Sequence, residues 1–126
     1  MKAARYAIEL ALPCGSEMIA ICVVQIPEYI EEHVRSILRD DLFGKSNKTL
    51  AEIEVLANSS KVKYRSETLE TSGAIATTIC NFADKMEADL VILGTRKNTS
   101  SLTKMMLGSV AAGVVGNASC PVLVVR

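Results

Sequence analysis

The sequence has little of several residue types, and each shortage argues against a class of function. It contains no Trp, three Tyr and two Phe, so a base-stacking surface for nucleic acid would have almost nothing to build with. Fourteen basic and fourteen acidic residues give a formal net charge of zero, which removes any general attraction to a phosphate backbone or an anionic membrane. Nucleic acid and membrane surfaces are therefore poor candidates as partners.

Metal-binding residues are also scarce. The single histidine, His33, lies among Glu and Arg residues on a predicted helix, and no pair of cysteines has Cys-x-x-Cys spacing, so we expect no metal site. The cysteines have apolar or small neighbours and are expected to be reduced, mostly buried thiols that serve packing; they are Cys14, Cys22, Cys80 and Cys120. No signal peptide is recognisable, so we expect a cytoplasmic location.

Long apolar runs are absent. The longest, residues 18–24, is seven residues, whereas a membrane-spanning helix needs about 20. The length of 126 residues fits one domain and leaves no room for two independent cores. We therefore expect a single domain over residues 1–126.

What the sequence does contain is an alternation of strand-like and helix-like segments. Continuous apolar runs at residues 18–24, 90–93 and 121–125 predict buried strands, and a half-polar run at residues 61–65 predicts an edge strand. Apolar residues at helical spacing predict helices near residues 4–12, 30–38, 49–56, 74–87 and 108–117, with a surface excursion at residues 40–48. This order predicts an α/β fold with an open, mostly parallel sheet and helices on both faces, of the Rossmann-like, doubly wound kind.

Local signals predict how these helices begin and end. Thr49 and Glu52 have the spacing of a capping box, and Thr71 or Ser72 is placed to cap the helix that begins near residue 74. The first helix is expected to end at Pro13 and Gly15, and the last one at a left-handed cap formed by residues 116–117.

The most distinctive stretch follows the strand at residues 90–93. Residues 94–104 supply hydroxyls and three basic side chains before Gly108, Ser109 and Val110 open a helix. A helix N-terminus offers free amides to an anion, and a glycine lets the backbone approach a phosphate closely. The same residues also suit an ordinary helix start, so on local spacing both interpretations stand.

Residues 88–96, 106–110 and 120–125 together resemble the C-terminal half of universal stress protein (UspA-type) domains, and residues 6–11 and 19–24 extend the resemblance over nearly the whole chain. In that family a G-x-x-G-x9-G-(S/T) signature binds the phosphates and ribose of ATP. Here Lys97 and Asn98 stand where the second glycine is expected. Two interpretations of this change are open. Asn98 can preserve the turn, because Asn tolerates the left-handed conformation better than other residues with a side chain. Alternatively, a side chain fills the space in which a glycine admits the phosphate, and binding is weakened or lost.

The resemblance implies an adenine-nucleotide-binding stress-response domain that takes ATP or AMP, with Mg²⁺ or Mn²⁺ only in company with the nucleotide. The implied nucleotide-binding residues are Val23, Gly94, Thr95, Lys97, Asn98, Gly108, Ser109 and Val110, with Thr99, Ser100 and Ser101 as helpers. No catalytic residue is expected, although slow ATP hydrolysis is left open. The alternative is a dimerisation or protein-interaction module that binds no nucleotide; in either case the resemblance implies a homodimer paired through the C-terminal strand Val122–Val125.

A second feature departs from the family's pattern. Family members begin with a strand that lies in the centre of the sheet, whereas here a helical pattern starts at the first residue, with no capping side chain before Lys2. We therefore expect an N-terminally truncated domain, with two rows of backbone amides and carbonyls facing a gap. Either the natural protein is longer or another chain fills that position.

Overall fold

The computed structural model describes residues 1–95 and 107–126, and its elements alternate between helices and strands. In chain order they are α1 (Lys2–Cys14), β1 (Glu17–Gln25), α2 (Glu32–Ser59), β2 (Lys63–Thr71), α3 (Ile75–Lys85), β3 (Val91–Gly94), α4 (Ser109–Asn117) and β4 (Val122–Val125). Strand pairing among these elements is parallel, as expected for strands joined by helical crossovers. The predicted α/β class is confirmed.

Within the described residues the strands form two separate parallel pairs. β1 pairs with β2 over nine residues, from Glu17 opposite Lys63 to Gln25 opposite Thr71. β3 pairs with β4 over four residues, from Val91 opposite Val122 onward. No strand of the described chain joins the two pairs into one sheet.

Helices α1 and α2 pack together over one side of these strands. Ile8 and Ala11 of α1, Met18 of β1 and Ala57 of α2 form one buried cluster, which Val62 completes. α1 also packs against β3 and β4, so a single helix covers parts of both strand pairs. The apolar stripe predicted for residues 4–12 is confirmed up to Ala11, because α1 buries Ile8 and Ala11, whereas Leu12 is exposed.

Helices α3 and α4 pack together over the strands as well, α3 on β1 and β2, and α4 on β4. Their contact is close, because a Cβ atom added to Gly113 of α4 would lie 2.6 Å from the Cβ atom of Ala76 in α3. Val114 of α4 is fully buried, and its carbonyl lies 3.9 Å from the Cys80 sulfur of α3. The absence of a side chain at Gly113 is what lets the two helices approach so closely.

The predicted surface excursion at residues 40–48 is wrong, because α2 runs unbroken for 28 residues. The predicted capping box is wrong too, since the Thr49 hydroxyl donates to the Lys45 carbonyl at 3.2 Å in the middle of the helix. Burial of Ser46 and Leu50 explains the continuity. Packing of this face against the strands outweighs the low helix propensity of the exposed Gly44.

Other boundaries agree in part. α1 contains Pro13 in its last turn and ends at Gly15, which has a φ of 63°, as predicted. The left-handed cap predicted at residues 116–117 is wrong, because α4 ends at Ala118 in extended conformation and the Asn117 amide donates to the Gly113 carbonyl at 2.7 Å. β2 begins later and runs longer than predicted, because pairing with all of β1 extends it to Thr71.

Candidate functional site

The N-termini of α3 and α4 meet at a cavity beside the carboxyl end of β1. The cavity measures about 240 Å³ and is lined by Gln25, Ala74, Ile75, Ala76, Ser109 and Val110. Gln25 ends β1, three lining residues open α3, and two open α4. In parallel α/β folds ligands bind beyond the carboxyl ends of the strands, and this cavity occupies that position.

The start of α3 is held by the turn that precedes it. The Gln25 side-chain amide donates to the Gly73 carbonyl at 2.7 Å, and the Thr71 hydroxyl accepts from the Gly73 amide at 3.0 Å. The helix cap is Ala74, which has no side-chain hydrogen bond to offer. The predicted cap at Thr71 or Ser72 is therefore wrong, and no side chain caps the first-turn amides of α3.

The start of α4 is equally open. Its cap residue, Gly108, has a φ of 84° and makes no side-chain cap hydrogen bond, and a Cβ atom added there would have no neighbour within 4 Å. The positive φ strains any residue with a side chain, which explains a glycine at this position. Ser109 is exposed beside it, so a backbone amide, a hydroxyl and open space occur together.

The carboxyl end of β3 lies beside the N-terminus of α1. A Cβ atom on Gly94 would lie 3.8 Å from the Ala3 Cβ atom, and the Lys2 ammonium donates to the Arg126 carbonyl at 2.6 Å. The Thr95 amide donates to the Val125 carbonyl at 3.0 Å, which continues the ladder between β3 and β4 by one bond. Gly94 is exposed at this end of the strand.

The structure brings only some of the predicted site residues together. Ser109 and Val110 line the cavity, and Gly108 adjoins them. Val23 lies within β1 opposite Leu69, two positions before the lining residue Gln25. Gly94 ends β3, Thr95 follows it, and neither lines the cavity. Five further predicted residues lie outside the described part of the chain: Lys97, Asn98, Thr99, Ser100 and Ser101.

Sequence reasoning missed the α3 side of the cavity, formed by Ala74, Ile75 and Ala76. These residues carry no polar side chain, so no motif marks them. The available signal was positional, since residues 71–74 join a strand to a helix and must lie at the carboxyl edge of the sheet.

The electrostatics of the cavity come from its backbone. None of its six lining residues has an ionisable side chain, while two helix N-termini each carry a partial positive charge. Among residues 1–95 and 107–126 no group of three His, Cys, Asp or Glu side chains is placed to hold a metal ion. The arrangement therefore suits an anion that is bound by amides and a hydroxyl.

The cysteines differ in their surroundings. Burial raises the pKa of the Cys80 thiol, and Asp84 and Cys120 raise it further. Burial also raises the pKa of Cys22, against a hydrogen bond with Ser46 that lowers it. The prediction of mostly buried thiols holds only for Cys80, since Cys22 and Cys120 are half-buried and Cys14 is exposed at the end of α1. His33 is exposed in the first turn of α2, as expected.

A sequence model described as the universal stress protein family matches residues 1–126. A universal stress protein of Methanocaldococcus jannaschii is 36% identical over 129 residues, which span 100% of this chain and 74% of that protein. None of the helices in the described residues has both the length and the apolar character needed to cross a bilayer.

Solved structures share the fold. The universal stress protein UspA from Lactobacillus plantarum superimposes with a TM-score of 0.81 at 22% identity, over 99% of this chain and 88% of that one. A universal stress protein from Archaeoglobus fulgidus, solved in complex with dAMP, gives a TM-score of 0.74 at 19% identity, over 98% of this chain and 85% of that one. At such identities the likeness establishes the architecture of this chain.

Proposed function

This chain belongs to the universal stress protein family, and we propose that it is an adenine-nucleotide-binding regulatory domain of the stress response, which acts by binding and not by catalysis. The proposal takes ATP or AMP as the ligand. The dAMP complex of the Archaeoglobus fulgidus protein supports this choice, because that protein has the same architecture.

The observation that carries the proposal is the convergence of two uncapped helix N-termini on one cavity. A negative charge beside one helix N-terminus gains about 0.3–2 kcal/mol. Two such ends, together with the Ser109 hydroxyl, offer several donors to a single phosphate group. A net charge of zero is compatible with phosphate binding, because the helix N-termini attract the phosphate only at short range.

The roles of individual residues follow from position. Gly108, Ser109 and Val110 would hold the phosphates at the start of α4. The backbone at Val23 would contact the adenine, and Gly94 with Thr95 would lie near the ribose. By family resemblance Lys97 and Asn98 would belong to the same site, with Asn98 in place of a glycine. A Mg²⁺ or Mn²⁺ ion would be held by phosphate oxygens, since no carboxylate lines the cavity.

The test is isothermal titration of the 126-residue chain with ATP and, separately, with AMP. We expect binding of at least one nucleotide. Ser109→Glu should weaken it about tenfold or more and leave the helix intact, because the new carboxylate occupies the anion position and favours a helix N-terminus. Gly108→Val should weaken it as well, since its φ of 84° strains valine and the side chain enters the open space.

Gly116→Val is the matched control for Gly108→Val. Gly116 lies in the same helix, and a Cβ atom there would have no neighbour within 4 Å. This variant should bind nucleotide like the unaltered chain. The proposal fails if the unaltered chain shows neither heat nor a thermal shift with both nucleotides.

A second function is favoured by the β4 strand. Val122–Val125 pairs with β3, and beside it lies a cavity of about 290 Å³ lined by Lys2, Tyr6 and residues 123–126. We propose that two copies pair through this strand, with or without nucleotide. Light scattering should give a dimer mass for the unaltered chain and a monomer mass for Val124→Pro, because proline cannot donate to a strand ladder.

We propose a cytoplasmic location for the domain. All four cysteines are free thiols, as is usual in a reducing compartment. Fractionation of cells and immunodetection of the chain would check this assignment.

A further inference from the structure

The outer face of α2 carries exposed apolar side chains. Val34, Ile37 and Val55 are 51%, 59% and 66% exposed, so solvent reaches more than half of each. On its other side α2 contacts β1 and β2, and Arg39 binds Glu70 of β2. At about 100° per residue, the three apolar residues lie about 140–160° around the helix from Arg39. They therefore point away from the strands on which α2 packs.

These apolar residues belong to a longer stripe along α2. Its positions follow one another at alternating intervals of three and four residues, which is the spacing of the contact positions in a coiled coil. We call this stripe the seam; it consists of Val34, Ile37, Asp41, Gly44, Lys48, Ala51 and Val55, all of which are exposed. Because α2 is one unbroken helix over this length, the seam stays on one face.

The seam has the same order of residue types in both directions. From its centre at Gly44, each half has a charged residue and then two apolar residues. Toward the amino end these are Asp41, Ile37 and Val34, and toward the carboxyl end they are Lys48, Ala51 and Val55. The two halves differ in the sign of the charge, so the seam is complementary to an antiparallel second copy of itself.

Antiparallel pairing brings apolar residues together at both ends of the seam. Val34 of one copy then faces Val55 of the other, and Ile37 faces Ala51. At the centre Gly44 faces its own counterpart, and the lack of a side chain there lets the two helix backbones approach closely. All three large apolar side chains of the seam are covered in this arrangement, and removal of apolar surface from water drives association.

The charges near the centre favour the same arrangement. Asp41 of each copy faces Lys48 of the other, whereas parallel helices would place each of these charges opposite a like charge, which is unfavourable. Lys45 lies near its own counterpart, but its ammonium is already paired with the Asp41 carboxylate at 3.2 Å within the same helix. Each Asp41 carboxylate therefore lies between two ammonium groups.

We propose that two copies of this chain associate through the seam of α2, with the two helices antiparallel and their closest approach at Gly44. A seam about 32 Å long and about 10 Å wide offers roughly 320 Å² per copy, less than the ~800 Å² per partner of a standard stable interface. We therefore expect a weak association that depends on protein concentration. It uses neither the cavity residues nor β4, so it can fail independently of nucleotide binding and of pairing through β4.

The test traps the contact with a disulfide. Val34→Cys and Val55→Cys are made in separate chains, each with Cys14→Ser to remove the exposed native thiol. The two chains are mixed and treated with diamide, which takes up the two hydrogen atoms that the thiols lose. We expect a covalent dimer in which mass spectrometry finds residue 34 linked to residue 55. The Val34→Cys chain alone should not form a link at residue 34, because these positions lie about 32 Å apart in the antiparallel pair and a disulfide needs Cα atoms within about 7 Å.

Glu54→Cys is the matched control for Val55→Cys. It places a thiol on the same turn of α2 and on an exposed residue, but off the seam. Mixed with the Val34→Cys chain, it should link about tenfold less, because adjacent residues of a helix do not face the same way. Equal linking in the two mixtures, or no link in either, would overturn the proposal. A link at residue 34 from the Val34→Cys chain alone would show parallel helices and would overturn it as well.

The charge pairs are tested by exchange, with the same link as the readout. Asp41→Lys added to the Val34→Cys chain, or Lys48→Asp added to the Val55→Cys chain, places like charges opposite each other and should lower the yield about threefold or more. Both changes together make every such pair opposite in sign again, so the yield should recover. A yield that stays low with both changes, or that neither change lowers, would overturn the antiparallel pairing of Asp41 with Lys48.

Discussion

The two strand pairs repeat one parallel motif at very different lengths. In the long pair, β1 and β2 align over nine residues and contact α2, a helix of 28 residues. In the short pair, β3 and β4 align over four residues, and the helix α4 that contacts β4 has nine residues. Side chains reinforce the long pair: the Tyr64 hydroxyl donates to the Leu50 carbonyl at 2.9 Å. The Arg39 guanidinium binds both carboxylate oxygens of Glu70, at 2.7 and 3.0 Å.

The short pair is built differently. Its helix α4 approaches α3 through a glycine and opens on another glycine with positive φ. A close approach between helices, at Gly113 and Ala76, is the main feature of this region. We therefore expect the long pair to contribute more to the stability of the domain, while the helices α3 and α4 present free backbone amides at the cavity where we propose that nucleotide binds.

The largest loss of stability should come from a substitution at the end of the long pair, β1 with β2. Ile26 is 1% exposed and follows β1, with its amide donating to the Thr71 carbonyl at 2.9 Å. Ile26→Ala should lower the free energy of unfolding by about 2–5 kcal/mol, since it leaves a cavity in a packed site. Urea unfolding monitored by circular dichroism measures this change.

Urea unfolding of two further variants compares the contributions of the two strand pairs to stability. Val114→Ala removes a smaller buried side chain from the short pair's helix and should cost less than Ile26→Ala. Tyr29→Ala should change little, because Tyr29 is 93% exposed. An equal or larger loss from Val114→Ala would contradict the view that the long pair carries most of the stability.

A smaller effect is expected from the contact between α3 and α4. Gly113→Ala places a methyl group 2.6 Å from the Ala76 Cβ atom and should cost about 1–3 kcal/mol, because the helices must move apart. Gly44→Ala, in the exposed face of α2, meets no atom within 4 Å and should stabilise by up to about 1 kcal/mol. Thermal unfolding of both variants should therefore shift in opposite directions; shifts of the same sign would show that the close approach is not required.

The smallest change in stability should come from removing the exposed ion pair between Arg39 and Glu70. The Arg39 guanidinium lowers the pKa of Glu70, so the carboxylate is favoured in the folded state. The stability that it contributes is complete above the unfolded pKa, near 4.5, and is lost as pH falls through the lower folded pKa. Glu70→Gln should therefore be slightly less stable than the unaltered chain at pH 7 and equal to it in strong acid.

The control for this pH dependence is Glu52→Gln, an exposed carboxylate on α2. Urea midpoints measured from pH 7 to pH 2 should converge for Glu70→Gln and the unaltered chain. A constant difference across this range would mean that the charge of Glu70 is not what stabilises the pair.

Much of the fold was predictable because apolar periodicity is a local signal. The runs at residues 18–24 and 90–93 became β1 and β3, and the stripe at residues 74–87 became α3, with ends that differ by at most two residues. The errors lie where packing overrides a local preference. Gly44 and Thr49 suggest a break, yet burial of Leu50 keeps α2 continuous.

In the candidate site, too, some residues could be predicted from the local sequence and others could not. Gly108 and Ser109 were predictable, because a glycine and a hydroxyl before an apolar stripe are typical of a helix that opens on an anion. Ala74, Ile75 and Ala76 were not, because their contribution is the position of their backbone.

By itself, the sequence determined the α/β order, the parallel strands and the family, because periodicity, breakers and motif spacing are properties of neighbouring residues. Only the tertiary structure decided that two helix N-termini share one cavity and that α3 and α4 touch at Ala76 and Gly113. Both facts depend on where separate elements lie relative to one another. That placement is set by packing between residues far apart in the chain, such as Ala76 with Gly113 and Ala3 with Gly94.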